Sequence, residues 1–465
     1  MQKITVRNFR QITEAEVEIK KILVLIGEQA SGKSTLAKLI YFFKSLKDDY
    51  FNLIYENANG AETELEKMFI QRIIEKFNLY FGPASNLNHD FEITFHYRYL
   101  GGDNPENRSL KLAKGKGLGV SFDYGFFGEI LSNTRDLARQ IADFDKAKPD
   151  TDINSYRLAE RTKARFIREL GQRVDALFRD DHSPMFFPAG RSITVAYPEH
   201  FQTLFFGNIN SPESLSRSAD LLQMKAFMLH SKFLNDYFNK SSFEEKIGGY
   251  SGASVSAHAL GFFKAHSEYI LQGRYENANG GERLVFGNHP SHSVPFSLAS
   301  SGQQESIRII QDLFYLLYEN QKSFRVIEEP EAHLYPLAQK KLVELISLVA
   351  NCTQSQIALT THSPYILSIL NNLLMLTLTE QRNPASTGRI HQHFGTGALL
   401  AEKNERINLR ADEVQAYALK PRGEVYCASL IDPETGLIGE NYLDRVTEEL
   451  NADFNLLYEL NFQSA

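Results

Sequence analysis

Ile22-Leu23-Val24-Leu25-Ile26-Gly27-Glu28-Gln29-Ala30-Ser31-Gly32-Lys33-Ser34 is the stretch that decides the fold. Its apolar opening reads as a strand buried on both faces. The residues after it fit the pattern G-x-x-x-x-G-K-[ST]. Beyond them, Leu36, Leu39, Ile40 and Phe43 share one face of a helix expected from Lys33 to about Leu46. Strand, glycine loop and helix in that order wrap backbone N–H groups and the positive end of a helix around a phosphate. Gly27, Glu28, Gln29, Ala30, Ser31, Gly32, Lys33, Ser34 and Thr35 are therefore the candidate nucleotide-binding residues. Lys33 can reach the β and γ oxygens, and the Ser34 hydroxyl can ligate Mg²⁺.

Three later motifs extend the site. Phe324-Arg325-Val326-Ile327-Glu328-Glu329-Pro330-Glu331 is an apolar strand that delivers two adjacent carboxylates before a proline stops it. Glu328 is assigned to the metal. Glu329 is assigned to the attacking water, which it orients and deprotonates. His362, in Thr360-Thr361-His362-Ser363-Pro364, follows another apolar strand and is placed to sense a γ-phosphate. Ala299-Ser300-Ser301-Gly302-Gln303-Gln304-Glu305 opens a helix, and a helix N-terminus is an anion site. Coming so late in the chain, Ser300, Ser301, Gly302 and Gln303 are expected to cap a nucleotide held by another subunit. A homodimer, or a higher oligomer built from dimers, follows from that expectation.

The rest of the sequence narrows the partners. With 465 residues the chain exceeds one ordinary domain. A net charge of −7 argues against a protein that coats nucleic acid with its whole surface. A local run of Arg157, Arg161, Lys163, Arg165, Arg168 and Arg173 keeps nucleic acid open as a ligand. The two cysteines, Cys352 and Cys427, stand far apart, which speaks against a disulfide framework or a zinc site. The apolar runs are too short to span a membrane, and no secretory signal is read, so a cytoplasmic location is expected.

The expected architecture is α/β. It comprises residues 1–130 as the N-terminal part of a nucleotide-binding head and 131–265 as a mainly helical insertion or arm. The C-terminal part of the head occupies 266–390, and 391–465 form a small α/β tail. In detail, strands are read at Lys3 to Phe9, Ala15 to Ile26 and Tyr269 to Arg274, and a helix at Tyr442 to Leu450.

Taken in order, phosphate loop, serine-glycine segment, double-acidic strand end and histidine resemble the ATP-binding-cassette (ABC) superfamily. Thr5-Val6-Arg7-Asn8-Phe9-Arg10 is similar to the start of SMC, RecF and OLD-type heads. Glu328-Glu329-Pro330-Glu331-Ala332-His333-Leu334 and Pro188-Ala189-Gly190-Arg191 resemble the stand-alone ATPases of bacterial anti-phage systems, such as Septu and PARIS. Asn8, Arg10 and Arg191 join the site candidates through this resemblance.

The resemblance implies a P-loop ATPase head with an N-terminal antiparallel β portion, a parallel core sheet and a helical insertion. It implies ATP and Mg²⁺ as cofactors, with Lys33, Glu329 and His362 as the catalytic set. It also implies a role as sensor or regulator in anti-phage defence, with a separate nuclease or toxin as effector. Two alternatives stand beside that role: a RecF- or SMC-like DNA-repair ATPase, and a nucleotide-gated scaffold with negligible hydrolysis. Some residues depart from the transporter pattern. Glu328 replaces its aspartate, Gln303 its second signature glycine, and Tyr335 the aspartate that follows the double-acidic motif.

Overall fold

The computed structural model describes all residues except 58–61, 88–89, 103, 105, 116, 124–135, 144–152, 197–218, 279–280, 288–291, 398, 400–402, 421–424, 440–450 and 457–465. The described chain divides into two compact units. Met1–Ile19, Ser34–Phe233 and Lys322–Val326 make the first; Lys20–Lys33, Leu234–Gln321 and Ile327–Ala465 make the second.

The first unit begins with β1 (Gln2–Phe9) and β2 (Ile12–Ile19). Arg10 and Gln11 make the turn between them, and Arg10, like Asn8 near the end of β1, is left-handed, with φ of 53° and 54° respectively. The strand expected from Ala15 to Ile26 is in fact two, because Lys20-Lys21 interrupts it; β3 (Ile22–Gly27) belongs to the second unit. The helices α1 (Lys33–Glu56) and α2 (Glu62–Phe81) come next, then β4 (Glu92–Arg98), β5 (Arg108–Lys114) and β6 (Leu118–Phe122). The antiparallel sheet runs β2-β1-β4-β5-β6. Phe9 meets Phe81 and Phe91 edge to face, and Phe42 meets Phe77 and Phe81 in the same way. Buried phenylalanines thus join sheet to helices, each pair adding about 0.5–1.5 kcal/mol beyond its buried area.

A long helix, α3 (Ile153–Phe178), precedes β7 (Ser183–Phe187). The residues 131–265 read as an insertion therefore also carry a strand, and that strand neighbours β11 (Ser323–Glu328) in the sheet.

The second unit adds α4 (Ala257–Leu271) and the small sheet of β8 (Arg274–Ala278), β9 (Gly281–Val285) and β10 (Ser293–Pro295). The strand expected at Tyr269–Arg274 is mostly the last turn of α4, which Gln272 ends in a left-handed conformation. Then follow α5 (Ser301–Tyr318), α6 (Pro336–Thr353), β12 (Gln356–Thr361), α7 (Pro364–Arg382), β13 (Val414–Leu419) and β14 (Cys427–Ser429).

In this unit β14, β13, β3 and β12 are hydrogen-bonded in that order. Strand β3 is parallel to both neighbours, pairing Ile26 with Thr361 on one side and Gly27 with Leu419 on the other. Within residues 391–465, read as a small α/β tail, β13 is buried at every position and pairs with β3. The helix expected at Tyr442–Leu450 lies outside the described residues. The architecture is α/β, as expected: an antiparallel β portion, a core sheet with parallel strands, and inserted helices.

Candidate functional site

The phosphate loop leaves β3 at Gly27, where space is tight. A Cβ there would lie 2.5 Å from the Leu419 carbonyl oxygen and 2.7 Å from Ser31 Oγ, so only glycine fits. Ala30 and Gly32, with φ of 61° and 91°, curl the backbone on itself, and the Ser31 N–H donates to the Glu28 carbonyl at 3.3 Å.

Lys33 is 5% exposed, yet no carboxylate touches it among its described contacts. Its Nζ donates to the Gly27 and Glu28 carbonyls at 2.8 and 2.7 Å, and to Ser31 Oγ at 3.4 Å. Burial pulls its ammonium down to about 8, while the charges of Glu329, Glu331 and Glu28 pull it back up.

The double-acidic strand end takes its form from β11. Glu328, its last residue, is buried. Glu329 then turns left-handed, with φ of 44°, a conformation that costs a non-glycine residue of order 1 kcal/mol or more. Its backbone N–H donates to the Thr360 carbonyl at 2.9 Å, and its half-exposed carboxylate faces His362, with Nε2 3.7 Å from Oε1.

Glu331, which sequence reasoning gave no role, organises the histidine loop. Its Oε1 accepts from the Thr361 hydroxyl and from the His362 N–H, the latter at 3.0 Å. Ser363 Oγ donates to Gln339 at 2.9 Å and ties the same loop to α6. The available signal was position: Glu331 is the first acid after the proline that ends the strand.

Ser300, Ser301, Gly302 and Gln303 gather at the start of α5. Gln303 reaches back to accept from the Ser300 N–H at 2.9 Å and donates to the Leu271 carbonyl at 2.7 Å. The departure from the transporter signature is thus a capping residue. Gly302 is forced by packing, since a Cβ would sit 2.5 Å from the His333 carbonyl oxygen. Ser300 and Ser301 are exposed, and Ser300 lines a 390 Å³ crevice together with Gly302, Gln303, His333 and Tyr335.

The remaining candidates belong to the first unit. Ser34 is exposed, and Thr35 is buried with Oγ1 accepting from Gln11 Nε2 at 3.1 Å. Asn8 is exposed; Arg10 donates to the Phe81 carbonyl at 2.9 Å. Arg191 is completely buried and donates to the Pro188 carbonyl at 3.2 Å, a contact that shapes its own turn.

The residues present fit MgATP. Ala30 and Gly32 curl the loop through positive φ, and Lys33 donates to carbonyls that phosphate oxygens can replace. A hydroxyl at Ser34 and a carboxylate at Glu328 are the hard oxygen donors that Mg²⁺ takes.

Fold and loop together define a P-loop nucleotide-binding domain of the AAA type. Residues 22–368 of the 465 match the family described as "AAA domain, putative AbiEii toxin, Type IV TA system", and the chain belongs to that family. No curated protein matches it.

Among solved structures, it is similar to the Pyrococcus furiosus Smc head with an extended coiled coil bound to the C-terminal domain of ScpA. Identity is 11%, coverage 97% of this chain and 100% of that one, and the TM-score 0.36. The SMC head domain from Thermotoga maritima gives 10%, 79%, 90% and 0.32 in the same order. The recombination mediator protein RecF-ATPrS of the RecFOR pathway gives 10%, 78%, 92% and 0.29. No helix among the described residues is long and apolar enough to cross a membrane.

Proposed function

We propose that this chain binds ATP with Mg²⁺ and hydrolyses it, and that hydrolysis sets the state of a sensor or regulator in an anti-phage system with a separate effector. The observation that carries hydrolysis is Glu329, held left-handed at a strand end with its carboxylate toward His362. A strained residue is kept where the strain serves a role. Lys33 and the loop amides hold the phosphates. Ser34 and Glu328 hold Mg²⁺, which supplies charge neutralisation at the phosphates when bound. Glu329 orients the attacking water and takes its proton, and His362 reports the γ-phosphate to the loop that Glu331 organises. Ser300 and Ser301, exposed at the start of α5, cap the nucleotide of a second copy, so that the working form is a dimer or is built from dimers.

A DNA-binding reading of the RecF or SMC kind has its own support in Arg161, Arg165 and Arg168, all exposed on α3. Glu329→Gln tests these readings together. ATP affinity should stay within about threefold of wild type while turnover falls by about a hundredfold or more, the scale of a lost general base. Turnover at the wild-type rate would remove Glu329 from its role. Negligible turnover in the wild type itself would favour the nucleotide-gated scaffold. Duplex DNA captured by the ATP-bound variant, with no protein effector, would favour repair.

A further inference from the structure

The phosphate loop is touched by a part of the chain far from it in sequence. Strand β13 runs beside β3 and brings Leu419 opposite Gly27, and β14 returns antiparallel to β13. Just before β14, Tyr426 is 7% exposed, and its hydroxyl donates to the carbonyl oxygen of Ser31 at 2.5 Å. Its own backbone is fixed as well, because its carbonyl accepts from the Lys420 N–H at 2.8 Å.

The direction of that carbonyl matters more than the bond. In a trans peptide the C=O and the following N–H point in opposite directions. With the Ser31 carbonyl turned toward Tyr426, the Gly32 N–H is turned away from it. A peptide that precedes a glycine is easily reversed, because glycine accepts either sign of φ, and here Gly32 holds +91°. Reversal would aim an oxygen where the loop should aim a donor, and a phosphate would meet negative charge in place of an N–H.

We infer that Tyr426 is a positioning residue for the nucleotide, holding the Ser31–Gly32 peptide so that its N–H faces the phosphate. The inference rests on the ATP-binding reading given above. Burial raises the Tyr426 phenol to about 12, so it stays a donor throughout the working pH range. It follows that residues 391–465 bear on nucleotide affinity through β13, β14 and this hydroxyl.

Tyr426→Phe keeps the ring and removes only the donor. MgATP should bind about three- to tenfold more weakly, the range of one hydrogen bond, and KM should rise by the same factor. Turnover at saturating ATP should stay at half the wild-type value or more, and Tm should move by no more than about 2 °C. Equal affinity in Tyr426→Phe and wild type overturns the inference. A weaker affinity that appears only with a large drop in Tm also overturns it, by making the contact one of stability. If wild type binds no ATP at all, the nucleotide reading itself has failed, and that outcome is distinct from equal, measurable binding by both proteins.

Discussion

Two lysines of α1 meet burial in opposite ways. Lys44, three turns into the helix, is completely buried and donates to Asp180 Oδ2 at 3.0 Å, the carboxylate being equally hidden. Burial lowers Lys44 from its ordinary value. It also pushes Asp180 up, but the charge of Lys44 and the hydrogen bond from His182 outweigh that and leave the acid well below the usual carboxylate range. Asp180, Asp181 and His182 bring their ligand atoms within 4.8 Å of one another, as a metal site would, yet Lys44 holds Asp180 and Lys322 holds Asp181. That cluster is complete in itself. Lys33, also buried, bonds to carbonyl oxygens and lies in the field of three glutamates without a described contact to any of their carboxylates. A carboxylate partner marks a lysine whose task is structural. Carbonyl partners, which a phosphate can replace, mark one whose task is binding.

The largest effect should follow from breaking the closed pair. Lys44→Met leaves Asp180 buried without its main counter-charge and should cost about 3–5 kcal/mol, read as a lower midpoint in urea unfolding. Lys44→Met combined with Asp180→Leu should recover most of that loss, because both charges are then gone. A single variant as stable as wild type would show that the pair does not govern this region's stability.

The second effect is smaller and should appear in binding. Lys33→Ala should weaken MgATP binding by about a hundredfold, or roughly 2.7 kcal/mol, while its unfolding midpoint stays much closer to wild type than that of Lys44→Met. The distinction between the two lysines collapses if both substitutions act mainly on stability.

Lys33 was legible in the sequence and the Lys44 pair was not. Gly27 to Ser34 is a local pattern whose geometry follows from consecutive residues, and the carboxylate pair ending β11 is local too. Lys44 looks like one more polar residue of an amphipathic helix, and its partner lies 136 positions away. The same distance hid Tyr426, 395 positions from Ser31, and hid the pairing of β13 with β3. Tyr269-Ile270-Leu271 misled for the opposite reason. Three bulky residues read as a strand alone, but Leu260 and Phe263 are buried with Ile270 on the face of one helix. Gln303 looked like a flaw in a signature, and only the Ser300 N–H it accepts from shows what it does.

The smallest effect separates the lysines by pH. In the nucleotide-free protein Lys33 is lowered to about 8 from 10.5, so above that value it loses the proton that attracts phosphate. Its folded value lies below its unfolded one, so the folded state binds fewer protons between the two. The cost of burying this charge is therefore present at lower pH and is relieved as pH rises through that window. Binding runs the other way. A bound polyphosphate stabilises the ammonium and raises its value, so affinity should fall as pH passes 8. Since one unit corresponds to about 1.4 kcal/mol, affinity for MgATP should drop about tenfold between pH 7 and pH 9 at constant ionic strength. The terminal phosphate has by then lost its last proton and adds little slope. Lys33→Ala should bind weakly with little dependence on pH over this range, whereas Lys44→Met should keep the wild-type slope under conditions where it stays folded. A flat profile for wild type would mean that the Lys33 ammonium is held charged through pH 9, as firmly as an exposed lysine.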